Sequence, residues 1–105
     1  MRASHILLEY NAPYPPSRKS VQRSKDDALY LAQELAERVR DGEAMSDLAN
    51  VYSDCPSREE GGDLGRFGPG QMTGAFEDAV VALEIGQISD AVHTEFGFHV
   101  IKRTG

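Results

Sequence analysis

Between Gly61 and Gly74 the chain sets six glycines and Pro69 among Leu64, Phe67 and Met72, with Phe76 just beyond. Glycine lets a backbone turn tightly or approach another backbone closely, and it costs about 0.5–1 kcal/mol where regular structure is required. A stretch of this kind does not fold by itself. It makes the wall of a small apolar pocket if flanking elements hold it still, so the rest of the chain has to supply a rigid frame.

That frame is legible on both sides. In Arg2 to Glu9, Ala3, His5 and Leu7 alternate with Ser4, Ile6 and Leu8, and apolar residues on both faces predict a central strand. Ser24 is placed to cap a helix whose first turn carries Asp26 and Asp27, charges that suit the positive helix end. Ala28, Leu31, Ala32, Leu35 and Val39 keep a helical period through Arg40, and Gly42 stops it. A second helix is expected from Met45 to Tyr52, ended by Ser53-Asp54-Cys55-Pro56 because the residue before proline disfavours helix. Another runs from Thr73 or Gly74 through Leu83, burying Phe76, Ala79, Val80 and Leu83. Two strands follow, near Ile88 to His93 and Gly97 to Arg103, with a turn around Thr94-Glu95-Phe96. This order predicts an α+β fold, a small antiparallel sheet with helices packed on it, as one domain over residues 1–105.

Hydrophobic content of 40% against 27% charged residues fits a globular chain rather than a disordered one. The net charge of -6 argues against nucleic acid as a partner, since that surface has to be basic. No apolar run approaches the ~20 residues of a membrane span, and the N-terminus has no signal-peptide core. No membrane partner is expected, and the location expected is cytoplasmic, unless the chain is a module of a longer secreted protein. The single cysteine, Cys55, rules out an internal disulfide. One segment departs from the acidic balance. Asn11 to Arg23 is proline-rich, lacks apolar periodicity and carries Arg18, Lys19 and Arg23. It is predicted to be a loop, with those three cations as candidates for binding an anionic group.

The residues able to carry chemistry are few. His5 and His99 come from predicted strands at opposite ends of the chain, and their imidazoles meet if those strands pair. A metal site would need further ligands at a spacing the chain does not show. A cysteine nucleophile is conceivable at Cys55, but the end of a preceding helix and the adjacent Asp54 disfavour a thiolate. The remaining reading is a set of polar groups on the floor of an apolar cleft, acting without covalent bonds. The apolar residues of the glycine-rich stretch are either that cleft or ordinary core.

Ser4-His5-Ile6-Leu7, Ser53-Asp54-Cys55, Gly61-Gly62-Asp63-Leu64-Gly65-Arg66-Phe67, Gly70-Gln71-Met72, Phe76-Glu77-Asp78-Ala79 and Gly97-Phe98-His99-Val100-Ile101 together resemble the parvulin family of peptidyl-prolyl cis/trans isomerases. The resemblance runs from Arg2 to Thr104. It implies a four-stranded antiparallel sheet surrounded by about four helices, in the order β-α3-β-α-β2. It also implies catalysis by His5, Cys55, His99 and Thr94. Leu64, Met72 and Phe76 would hold the proline ring, with Gln71 in support and Phe67 and Phe96 as further contacts. Family members selective for phosphoserine or phosphothreonine before proline carry a basic cluster where Arg18, Lys19 and Arg23 stand. Two positions depart from that pattern: Glu9 occupies the place of a basic residue, and Phe96 that of a small polar one. The expected partner is a proline-containing polypeptide, the expected state a monomer, and no cofactor or metal is required. The alternative is a peptide-binding, chaperone-like module of the same fold with negligible turnover.

The residue types suit the reaction. Rotation about an X–Pro bond takes tens to hundreds of seconds unaided, because it breaks amide resonance over a barrier of ~18–20 kcal/mol. The twisted amide is less polar than the planar one. An apolar pocket gripping the ring therefore binds the transition state better than the ground state.

Overall fold

The computed structural model describes residues 1–10 and 23–105. Arg18, Lys19 and most of the expected basic loop lie outside the described residues.

Four antiparallel strands form one sheet in the order β2-β1-β4-β3, with β1 at Arg2–Leu8, β2 at Asp63–Arg66, β3 at Val92–Thr94 and β4 at Gly97–Arg103. The strands with apolar residues on both faces, β1 and β4, take the two central places. Their register sets Leu7 opposite His99 and His5 opposite Ile101. Directly opposed residues share a face, and so do residues two apart along a strand. His5 and His99 are thus diagonal neighbours on one side of the sheet.

The other side is covered by helix α1 (Lys25–Arg40) and helix α2 (Met45–Tyr52). Ile6, Leu8, Phe98 and Val100 from the sheet meet Ala28, Ala32, Leu35, Met45, Leu48 and Ala49 from the helices. Burying an aliphatic or aromatic side chain of this size contributes about 1.5–3 kcal/mol. Ser24 caps α1 as expected, its side chain accepting from the Asp27 N–H. On the histidine side, helix α3 (Gly74–Ala82) brings Phe76 and Val80 against Ala3, Ile101 and Phe67. Leu64, Met72 and Ala79 pack partly buried against that cluster.

The described helices are three α-helices and a 3-10 turn at Pro56–Glu60, so the expected β-α3-β-α-β2 order holds with the 3-10 turn as the third helical segment. Helix α3 stops at Ala82, one residue short of expectation, with Leu83 as its cap. The strand expected near Ile88 to His93 is broken. Ile88 makes a single bridge to Lys102, and regular pairing resumes only at Val92. Ser89 is the physical reason: its N–H donates to the Ile101 carbonyl at 2.8 Å while its hydroxyl accepts the Ile101 N–H at 2.9 Å. A side chain replaces a backbone acceptor there and the ladder shifts. Thr94 consequently belongs to β3 rather than to the turn.

Candidate active site

The site is assembled along the edge of β1. Its first half pairs with β2, where Ser4 opposes Asp63 and the His5 N–H donates to the Gly62 carbonyl at 2.9 Å. On the side turned away from β4, its second half pairs with no strand. Instead the Ser53 hydroxyl accepts the Leu7 N–H at 3.0 Å, the Asp54 N–H donates to the Leu7 carbonyl at 2.8 Å, and Asp54 Oδ2 accepts the Glu9 N–H at 3.0 Å. Ser and Asp side chains readily substitute for backbone partners in this way. The motif Ser53-Asp54-Cys55 is therefore a short graft onto β1, and it fixes where Cys55 starts the 3-10 turn. Arg23 closes the graft. Its Nη1 donates to Asp54 Oδ2 and to the Glu9 carbonyl, both at 2.9 Å. Arg23 was a candidate anion binder on sequence; its guanidinium is already engaged by a carboxylate of the protein, with only 23% of the side chain exposed.

On the α3 side of the sheet, His5 Nδ1 lies 2.9 Å from His99 Nδ1, His99 Nε2 lies 2.7 Å from Thr94 Oγ1, and His5 Nε2 lies 3.2 Å from Ser57 Oγ. The imidazoles stack with centroids 5.1 Å apart. The Phe76 ring stands edge-on to both, 5.6 Å from His5 and 5.3 Å from His99. Burial pushes the His5 imidazole down to about 4. Burial also pushes His99 down to about 3, helped by repulsion from His5 and His93. Both rings are neutral at physiological pH, because an imidazolium here would lose its water without gaining a carboxylate.

The structure thus brings His5, His99, Thr94 and Phe76 into direct contact, with Leu64 and Met72 partly buried beside Phe76. Cys55 is half-buried at the start of the turn that carries Ser57. Phe67 is core: it is 5% exposed and its ring lies behind Phe76 at 6.2 Å. Gln71 acts on the backbone, Oε1 accepting the Gly68 N–H at 2.8 Å, while Glu77 Oε1 accepts the Gly70 N–H at 2.7 Å. Together they pin the turn that presents Met72. Phe96 stands at the β3–β4 turn, 53% exposed. Sequence reasoning missed Ser57 and the structural use of Asp54. No spacing rule signals Ser57; it reaches His5 because a 3-10 turn folds back on β1. Among the described residues no group of three or more His, Cys, Asp or Glu is placed to hold a metal, and no helix is long and apolar enough to cross a membrane.

A buried imidazole pair against an aromatic ring, on a β2-β1-β4-β3 sheet, is the architecture of a small prolyl isomerase domain. The profile of the PPIC-type PPIASE domain matches residues 1–105. The peptidyl-prolyl cis-trans isomerase Pin1 of Digitalis lanata is 43% identical over 100% of this chain and 96% of its own length. The pin1 isomerase of Rhizopus delemar is 42% identical over 99% of this chain and 72% of its own. Among solved structures, the peptidyl-prolyl isomerase ESS1 from Candida albicans superposes with a TM-score of 0.90 at 39% identity, covering 99% of this chain and 62% of that one. The chain belongs to the parvulin, or PPIC-type, family of peptidyl-prolyl cis/trans isomerases. It is an isomerase of X–Pro bonds in polypeptide substrates.

Proposed function

We propose that isomerisation occurs in the cleft above His5 and His99, with the proline ring against Leu64, Met72 and Phe76, and without a covalent bond to Cys55. The observation that carries this reading is the burial of both histidines together with the edge-on contact of Phe76, an environment that favours neutral rings. A floor of uncharged rings stabilises the less polar, twisted amide and offers no cation to hold the planar carbonyl. Cys55 acts by its position near the cleft, not as a nucleophile.

The test is a chymotrypsin-coupled assay on X-Pro-Phe peptides with the parent and Met72→Ala. Met72 is only partly buried, so its truncation is expected to cost about 1 kcal/mol of stability, less than a fully buried methionine. It is expected to lower kcat/KM by about tenfold or more, the equivalent of ~1.4 kcal/mol of lost transition-state binding. Unchanged kcat/KM in a folded Met72→Ala protein would remove Met72 from the pocket. Phe76→Ala is a poorer probe, because Phe76 is 4% exposed and losing a buried phenylalanine costs about 3–5 kcal/mol.

The same reading extends to the residue before proline. With Arg23 paired to Asp54, Arg18 and Lys19 remain the candidates read from sequence for recognising an acidic or phosphorylated side chain. A hydrogen bond to a charged group contributes about 1.5–3 kcal/mol. Glu-Pro or phosphoSer-Pro peptides are therefore expected to react about tenfold or more faster than Ala-Pro at low salt. The Arg18→Ala, Lys19→Ala double variant should erase that advantage; equal rates for all three peptides in the parent would show that the cations serve only as solvated surface.

A further inference from the structure

The helices do not cover the whole face of the sheet opposite the histidines. Ser4 opposes Asp63 on β2 and Lys102 on β4, and Ile88 bridges to Lys102. Opposed residues share a face, and this is the face of Ile6 and Val100, which α1 and α2 bury. One step nearer the end of the sheet, on the same face, Arg2 opposes Arg66. Helix cover stops here, because α1 ends at Arg40 and α2 begins only at Met45. A groove of about 610 Å³ opens at this corner, with Val39, Arg40, Glu43, Met45, Ile88 and Lys102 in its lining. Sites for small ligands have volumes of about 300–1,000 Å³.

The charges along this corner do not balance. Arg40 Nη2 donates to Asp90 Oδ1 at 2.8 Å and to the Ile88 carbonyl at 3.1 Å. The Glu43 carboxylate accepts from Arg38 at 2.6 and 2.9 Å, and that of Asp63 from Arg2 at 2.6 and 3.2 Å. Lys102 and Arg66 have no carboxylate partner among the described residues. Two unmatched cations thus share one face of a chain whose net charge is -6. Lys102 is half-buried, and a cation drawn partly out of water gains more from an incoming carboxylate than one in open solvent. Val39, Met45 and Ile88 make the rest of the wall apolar. An acidic side chain on a polypeptide uses both properties, laying its stem on the wall and its carboxylate on Lys102. A free inorganic anion uses only the charge.

We propose that this groove is a second, non-catalytic binding site for an acidic segment of the polypeptide substrate, with one carboxylate on Lys102 and further acidic residues running toward Arg2 and Arg66. The groove faces away from His5 and His99, so a substrate reaches both sites only through a linker. The molecule is 23 Å across its shortest dimension and an extended chain spans ~3.3–3.6 Å per residue, which sets that linker at about seven residues or more. The first test is binding alone. Amide signals of the nitrogen-15-labelled protein are followed by NMR while a proline-free hexaglutamate peptide is added. Those of Lys102, Ile88 and Glu43 are expected to shift, and those of Thr94 and Phe76 to stay. Lys102→Met, which keeps the aliphatic stem, should weaken binding about tenfold or more, and Lys102→Glu should abolish it. The second test is turnover of an Ala-Pro-Phe nitroanilide that carries hexaglutamate upstream, through about twelve Gly and Ser residues that exceed the required span. Its KM is expected to be about threefold or more below that of the same peptide carrying hexaglycine, with kcat unchanged. Lys102→Met should erase that difference and leave the rate on the hexaglycine peptide as in the parent. Absent shifts at Lys102, or equal binding by Lys102→Met, overturn the site. Hexaglutamate binding without a KM difference overturns the assignment to substrate. Binding of phosphatidylglycerol vesicles with no binding of hexaglutamate gives the face to a lipid surface and overturns the proposal.

Discussion

Gly62→Ala is expected to destabilise the fold by about 3 kcal/mol or more and to disorganise the site in whatever fraction stays folded. Two effects add. Gly62 has φ of +83°, a left-handed conformation that costs a residue with a Cβ about 1–2 kcal/mol. A Cβ there would also overlap the carbonyl oxygen of His5 and press on Ala49 Cβ at 3.1 Å. The first obstacle is backbone, so no side-chain rotation relieves it. Gly62 and His5 are joined by a hydrogen bond, hence any displacement moves the histidine. Gly65 is the control. Its φ is +72°, yet an added Cβ meets nothing within 4 Å, so Gly65→Ala should show the conformational cost alone, about 1–2 kcal/mol. Urea unfolding of both variants decides the matter. Equal losses would mean that the close approach to His5 does not constrain the fold.

Acid is expected to weaken the protein well above the range in which carboxylates titrate. His5 and His99 bind protons at their ordinary 6.5 when unfolded, but only near about 4 and about 3 when folded. Between those limits the unfolded chain holds more protons, so unfolding becomes easier as pH falls. The stabilisation is fully present above about pH 6.5 and is lost as pH drops toward about 4 for His5 and about 3 for His99. Each histidine contributes a slope of up to about 1.4 kcal/mol per pH unit. Small domains have margins of only about 5–15 kcal/mol, so two such slopes are a sizeable loss. The pair cannot escape by protonating both rings, because two N–H groups would then face each other across the 2.9 Å Nδ1–Nδ1 contact. Chemical unfolding from pH 7.5 to 4.5 should show stability falling from about 6.5 downward, and a His5→Leu, His99→Leu double variant should flatten that slope. A parent profile that is flat between pH 6.5 and 4.5 would mean that the imidazoles are not buried neutral in the folded state.

Most of the frame was legible because period and capping are local properties. Ser24, the spacing of Ala28, Ala32 and Leu35, and the two-faced strands at either end are visible without any tertiary knowledge, and they place β1 and β4 at the sheet centre. That placement makes the meeting of His5 and His99 a consequence of register. What escaped was every case in which a side chain stands in for backbone. Ser89 interrupts the expected strand at Ile88 to His93, and Ser53 with Asp54 completes β1 where no strand does. A serine in such a role has the same sequence appearance as a serine in solvent. Arg23 belongs to the same class: its neighbours Arg18 and Lys19 suggested an anion site, but its partner Asp54 lies 31 residues away. Phe67 and Phe76 sit in one glycine-rich stretch, and only packing separates the core ring from the one that faces the histidines.

The central claim is that the X–Pro bond rotates in an apolar, neutral cleft without attack by Cys55. Steady-state kcat/KM of Cys55→Asp on the preferred X-Pro-Phe peptide tests it most directly, with circular dichroism to establish that the variant is folded. A carboxylate cannot replace a thiolate nucleophile in a covalent cycle but can occupy the same polar position. The account predicts activity within about tenfold of the parent. A folded Cys55→Asp protein with no acceleration over buffer would contradict it.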